Sequence, residues 1–260
     1  MKRPVVVTLA FDGISPFHLS VPCLVFGEKR TNIGLPHFDF RICAPVAGLL
    51  HTSAGLNLSV PHGLEAMAEA DIIIVPSWKD LDQPLPPALG EALRAAHARG
   101  ATMVGLCLGT FALAAAGLLS GRRATTHWAY AHQLRRQHPD IEVDAEVLYV
   151  DLGDVVTSAG VAAGLDCCLH IVRARYGVEP ALRLARQIVA PPHRQGGQAQ
   201  FIERPIARAP AADRFARAVE AARDSLDKDH GLDSMAAAAG LTRRTFTRRF
   251  QKLYGMSFGE

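Results

Sequence analysis

Through roughly the first 190 residues, short β-branched or apolar runs alternate with longer helix-like stretches, and this alternation limits the fold more than any other feature. Val5–Leu9, Phe38–Ala44, Asp71–Val75, Thr102–Leu106 and Val155–Thr157 read as strands, most of them bounded by turn residues. Ala88–Arg99, Leu108–Ala116 and Gly164–Tyr176 read as helices between them. The pattern predicts an α/β domain with a parallel sheet covered by helices on both faces. Open sheets of this kind hold ligands at the carboxyl ends of their strands. Asp12 follows the first strand, Ser77 the third, Cys107 the fourth and Ser158 the last, which makes each a candidate ligand contact.

A chain of 260 residues has room for one large domain and a small one, and a hydrophobic fraction of 49% suits packed cores. No run approaches the roughly 18 consecutive apolar residues of a membrane helix. The start, Met1-Lys2-Arg3-Pro4-Val5, lacks the apolar core and cleavage site of a signal peptide, so a cytoplasmic protein is expected. The five cysteines and eleven histidines show no metal-ligand spacing, and neither a metal nor a cofactor is expected. The net charge of +3 identifies no partner by itself. A basic cluster of Arg243, Arg244, Arg248, Arg249 and Lys252 near the end is more informative, although such a cluster is also what a solvated helix face looks like.

Gly105-Leu106-Cys107-Leu108-Gly109 places a cysteine between two glycines, after an apolar strand and before a helix. A sharp strand-to-helix turn strains its central residue, and flanking glycines relieve the crowding. Such an elbow presents the thiol at the sheet's edge near a helix N-terminus, which favours thiolate. His127, in Thr125-Thr126-His127-Trp128, is a plausible neighbour. A buried cysteine in a tight turn gives the same pattern.

Residues 5–170 resemble the ThiJ/PfpI group of the class I glutamine amidotransferase-like superfamily, through Phe11-Asp12-Gly13, the Cys107 elbow and Ala124-Thr125-Thr126-His127-Trp128. The resemblance implies a flavodoxin-like three-layer fold, a reactive or redox-sensitive Cys107, and His127 beside it. It also implies an acid that hydrogen-bonds the cysteine, but that place, four residues before Pro22, holds His18. A histidine cannot do what a protonated carboxylic acid does, so the enzymatic apparatus is incomplete. A Cys107–His18–His127 cluster is the remaining catalytic or redox option, and a domain kept for binding is the favoured one.

A Pro/Gly/Gln-rich stretch, Ala190–Gln198, ends the α/β pattern and reads as a linker or an ordered docking loop. Helical composition resumes at Asp213, with Phe215, Val219 and Leu226 on one face. Leu232–Ala239 reads as a short helix stopped at Gly240, a residue suited to a left-handed cap. Thr242 suits the N-cap of a second helix. On that helix Phe246, Phe250 and Leu253 form an inward face, with Arg244, Thr247, Arg248 and Gln251 opposite. This is what a recognition helix requires, and a two-helix packing hairpin without nucleic acid is the alternative.

Residues 213–260 resemble the first half of an AraC/XylS-type DNA-binding domain, with Gly240-Leu241-Thr242, Arg248-Arg249-Phe250 and Gly255 at the matching places. Pro191–Phe201 resembles a signature of GlxA-type regulators, which join the two domains in this order. AraC-type domains carry two helix-turn-helix units joined by a long helix, and here the chain stops where that helix should start, so autonomous tight DNA binding is not expected. The resulting expectation is an α/β domain at 1–190, a linker or docking loop at 191–210, and a partial helix-turn-helix domain at 211–260. The predicted protein is a sequence-specific transcription regulator controlled by a small-molecule effector or redox state at Asp12, Ser77, Cys107, His127 and Ser158. Arg243, Arg244, Thr247, Arg248, Arg249 and Lys252 would contact an operator, and family members usually associate, so a homodimer is expected. The rival is a cysteine-dependent hydratase, amidase or glyoxalase.

Overall fold

The computed structural model describes residues 3–191, 194, 196, 197, 200, 214–223, 225, 230–254, 257 and 258, without the side chains of residues 161, 223 and 252. The chain divides into two compact units between residues 202 and 203. In the first unit the elements run β1 (Val5–Leu9), α1 (Pro16–Pro22), β2 (Asp39–Cys43), β3 (Gly48–His51), β4 (Asn57–Val60), β5 (Ile72–Val75), α2 (Pro87–Ala98) and β6 (Thr102–Leu106). They continue with α3 (Gly109–Ala115), β7 (Arg123–Ala124), α4 (Ala131–Gln137), β8 (Glu142–Val143), β9 (Tyr149–Asp151), β10 (Val155–Ser158), α5 (Val161–Tyr176) and α6 (Val178–Gln187).

Six strands form the main sheet in the order β2-β1-β5-β6-β10-β9. Every pairing is parallel except β9 with β10. The buried strands show no polar alternation because helices cover both faces. Val5, Val7, Leu9, Ile73, Val75 and Met103 join one core, which includes Leu89, Leu93 and Ala96 of α2 and Phe111 and Leu113 of α3. Val6, Ile72, Ile74, Val104 and Val156 join the other, with Cys167, Cys168 and Val172 of α5 and Leu184 of α6. The three-layer expectation and its five strands match the observed sheet. Two features depart from it: the β3–β4 hairpin, which forms a separate two-stranded sheet, and the antiparallel edge strand β9.

Part of the segment expected to link the domains docks on the first unit. Leu148 N donates to Gly196 O at 2.6 Å, Tyr149 Oη donates to Arg194 O at 3.1 Å, and Arg194 pairs with the buried Asp166 carboxylate at 3.2 Å. A side chain at Gly196 would collide with Tyr149, so glycine lets the backbone lie against that edge.

The second unit holds α7 (Arg214–Arg223), α8 (Leu232–Ala238) and α9 (Arg243–Tyr254). Gly240 takes the left-handed conformation, with φ of 66°, and Thr242 Oγ1 accepts from Thr245 N at 3.3 Å, as the capping signals predict. Phe215, Val219, Met235, Ala236 and Phe246 form its core; Leu226 lies outside the described residues. The inward face of α9 is Phe246, Phe250 and Tyr254, joined by Phe258, rather than the predicted face ending at Leu253. Leu253 is 54% exposed, because a face spaced i, i+4, i+8 turns it to the margin.

Candidate functional site

The peptide at Cys107 makes a sharp turn between β6 and α3, with φ of 51°, in the left-handed region that non-glycine residues seldom occupy. Both flanking glycines are explained by crowding. A Cβ at Gly109 would overlap the Val75 carbonyl oxygen, and one at Gly105 would stand 2.9 Å from Leu113 and 3.0 Å from the Thr110 backbone. The strained peptide is held on both sides: Cys107 N donates to Ser158 O at 3.0 Å, and Cys107 O accepts from Thr126 Oγ1 at 2.8 Å. The cysteine is only 4% exposed.

Thr126 precedes His127, so the same bond fixes the turn that carries the imidazole. Thr110 Oγ1 donates to Thr125 O at 2.9 Å, and Thr125 N donates to Thr157 Oγ1 at 2.9 Å, bracing the turn from the sheet side. His127 Nδ1 accepts from Ala129 N at 3.2 Å. A neutral ring with that acceptor carries its proton on Nε2. Burial lowers the His127 pKa, favouring this neutral form. The ring lies against Gly160, where a Cβ would run into Cδ2.

His18 stands on α1, and neither of its ring nitrogens has a hydrogen-bond partner although both are buried. Burial lowers its pKa first, and the nearby His127 lowers it further. A buried polar group left unpaired is costly, which makes His18 an available donor and acceptor for a small polar ligand. In that tautomer His127 offers an Nε2–H donor, so the two histidines can bind a small polar ligand, or steady a thiolate, beside the Cys107 turn.

The remaining candidates divide. Ser77 is buried on the loop after β5, the strand next to β6. Ser158 serves the site through its carbonyl; its hydroxyl donates to Ala159 O at 3.2 Å and meets the Cys167 sulfur. Asp12 is engaged elsewhere: its carboxylate accepts from His51 N at 2.8 Å and contacts His51 Nδ1 at 3.2 Å, tying β3 to the loop after β1. These bonds lower its pKa. A position just after a strand end thus fixes where a residue lies and says little about what its side chain meets.

None of the five cysteines is in a disulfide. Burial pushes the Cys23 thiol up to about 11 and Cys43 up to about 12, and raises Cys167 and Cys168 further. Among the described residues, no group of three or more His, Cys, Asp or Glu is arranged to hold a metal. A cavity of about 650 Å³ lies at the opposite, amino end of the strands, but its Arg41, Asp39 and Glu69 already pair with one another.

Sequence reasoning missed Gln200. It is 7% exposed, and its amide spans the His127 turn. Oε1 accepts from Trp128 N at 3.0 Å, while Nε2 donates to Thr126 O at 3.1 Å, Val147 O at 3.0 Å and Thr125 Oγ1 at 3.2 Å.

In the second unit, Arg244 and Arg248 are exposed on α9 opposite Phe246. Thr247 shares that side, with Oγ1 donating to Arg243 O at 3.0 Å. Arg243 pairs with Asp233 at 3.5 Å. Arg249 lies 4.7 Å above the Phe215 ring, a packing role that the sequence pattern did not suggest. The Lys252 side chain lies outside the described residues.

The DJ-1/PfpI family profile matches residues 3–174. Similar curated proteins include the HTH-type transcriptional regulator CdhR of Pseudomonas aeruginosa, 30% identical over 58% of this chain and 45% of that protein. The HTH-type transcriptional regulator GlxA of Rhizobium meliloti is 27% identical over 86% of this chain and 69% of its own length. Isonitrile hydratase of Pseudomonas putida is 33% identical over 62% of this chain and 69% of that enzyme. The chain thus spans about half the length of CdhR, the first of these relatives. Among solved structures, a ThiJ/PfpI family protein from Pseudomonas syringae superposes with a TM-score of 0.65 at 23% identity, covering 93% of this chain and 92% of the other.

Proposed function

The chain belongs to the DJ-1/PfpI family, and from that membership we propose that it is a sequence-specific transcription regulator, with an α/β unit that senses a small molecule or redox state and a helical unit that binds an operator. The observation that carries this reading is α9, which buries Phe246 completely and presents Arg244 and Arg248 outward after a short turn from α8. A basic outward face on the second of two closely joined helices fits the major groove. The relatives named HTH-type transcriptional regulators support it. His18, in the place of the family acid, favours sensing over turnover. A homodimer formed through the α/β unit, acting in the cytoplasm, completes the reading.

The test is selection from a random duplex library, run on this chain and on any longer reading frame that contains it. Enrichment of one motif, lost after Arg244 and Arg248 are both replaced by alanine, is the expected result. Retention of that motif by the double variant would overturn the helix assignment.

A second reading rests on the strained Cys107 and on the isonitrile hydratase relative: a cysteine-dependent enzyme acting on a small molecule. A robust turnover abolished by Cys107→Ala would favour it.

A further inference from the structure

We infer that Gln200 is a strap that couples the state of the Cys107 site to the segment entering the second unit; this deepens the reading of the site as a sensor and rests on it. The path is short and fully bonded. Thr126 joins both ends, giving its hydroxyl to Cys107 O at 2.8 Å and accepting the Gln200 amide on its carbonyl at 3.1 Å. Gln200 lies just before the boundary at residues 202 and 203.

The amide orientation is dictated by its partners. Trp128 N can only donate, so Oε1 faces it; Thr126 O and Val147 O can only accept, so Nε2 faces them. A carboxylate of the same size would set an anion against two carbonyl oxygens. An alanine would remove this partner from one backbone donor and two backbone acceptors, in a place only partly open to water.

The turn at 125–128 is held on three sides, one of them by Gln200. Gly160 stops the His127 ring on one side. Thr110 and Thr157 bond the turn to the elbow and β10 on another. Cys107 is buried and its carbonyl is bonded to Thr126, so a group bound or added at the sulfur that shifts the elbow peptide passes that shift to the turn, and through Thr126 to Gln200. Packed interiors answer such a demand by switching contacts rather than deforming smoothly. Release of Gln200 leaves the strap held, among the described residues, by Arg194 and Gly196.

Coupling is reciprocal, so it can be read from both ends. The probe is iodoacetamide on the whole chain: a sulfur–carbon bond forms at Cys107, iodide leaves, and the thiol proton passes to solvent. Hydrogen exchange at the Trp128 amide reports the strap, and the Val7 amide in the central sheet is the reference for global opening. Alkylation of Cys107 is expected to speed Trp128 exchange by at least about fivefold, the low end of ordinary coupling, with Val7 unchanged. Gln200→Ala should in turn raise the Cys107 alkylation rate by a similar factor. Gln200→Glu, which keeps the size, carries the same readouts if the alanine variant does not fold. Unchanged Trp128 exchange after alkylation, or equal alkylation rates in wild type and variant, overturns the inference. No readout involves DNA, so failure to bind an operator and failure of the strap remain separate results.

Discussion

Thr126 bonds the carbonyl of Cys107 with its hydroxyl at 2.8 Å, so the turn bearing the site's histidine is anchored to the peptide of its cysteine. The hydroxyl is buried with its acceptor, which makes the bond sensitive to an isosteric change. Thr126→Val keeps the shape and removes the donor, leaving the Cys107 carbonyl one partner short. A loss of about 1–3 kcal/mol in unfolding free energy is expected. Urea titration checks it, and a variant as stable as wild type would show that the elbow does not depend on this bond.

Cys107 is expected to alkylate or oxidise before the other four cysteines. The strand-to-helix elbow favours thiolate there, while burial holds the Cys23 and Cys43 thiols at about 11 and about 12. Mass-spectrometric mapping after limiting iodoacetamide reads the order. Equal labelling of Cys23 or Cys43 would mark Cys107 as structural.

His18 sets a pH response. Burial depresses its folded pKa below the ordinary histidine value of 6.5, so the unfolded chain takes up a proton first as pH falls. Stability is therefore full above that value and declines on acidification through the folded pKa. His18→Asn should flatten part of this decline between about pH 7.5 and 5.5, while His127 and His138, also depressed by burial, contribute in the same direction. Urea midpoints at the two pH values measure it; an identical acid loss in the variant would place the proton uptake elsewhere.

The legible parts of this protein were those whose physics is local. β1, β5 and β6 were readable because strands covered on both faces become unbroken apolar runs. The elbow was readable because Gly105 and Gly109 bracket Cys107 at the junction of an apolar strand and a helix, where a tight turn leaves no room for larger flanking side chains. The β3–β4 hairpin was missed because three of the four residues in β3 are exposed, giving no core-facing signal. Gln200 was missed for a different reason. Its partners Thr125, Thr126 and Val147 are 75, 74 and 53 residues away, and nothing in a glutamine's neighbourhood announces bonds made at that range.

The basic residues of α9 should fail in three different ways. Arg244 and Arg248 are exposed opposite the buried Phe246, where arginine can donate bidentately to guanine. Either alanine variant should cost about 1–3 kcal/mol on a cognate site and relax preference at one base position. Lys252, placed by its sequence position at the flank, should act on phosphate: Lys252→Ala weakens all sequences alike and lowers the salt slope by roughly one. Arg249 was expected to share that role, but it covers the Phe215 ring at 4.7 Å. Its loss should appear first in folding, at about 0.5–1 kcal/mol for an exposed cation–π contact, and in DNA affinity only in proportion to the unfolded fraction. Fluorescence anisotropy at several salt concentrations, set beside thermal unfolding, separates the three. A large affinity loss for Arg249→Ala at unchanged stability would return that residue to the DNA-contacting group.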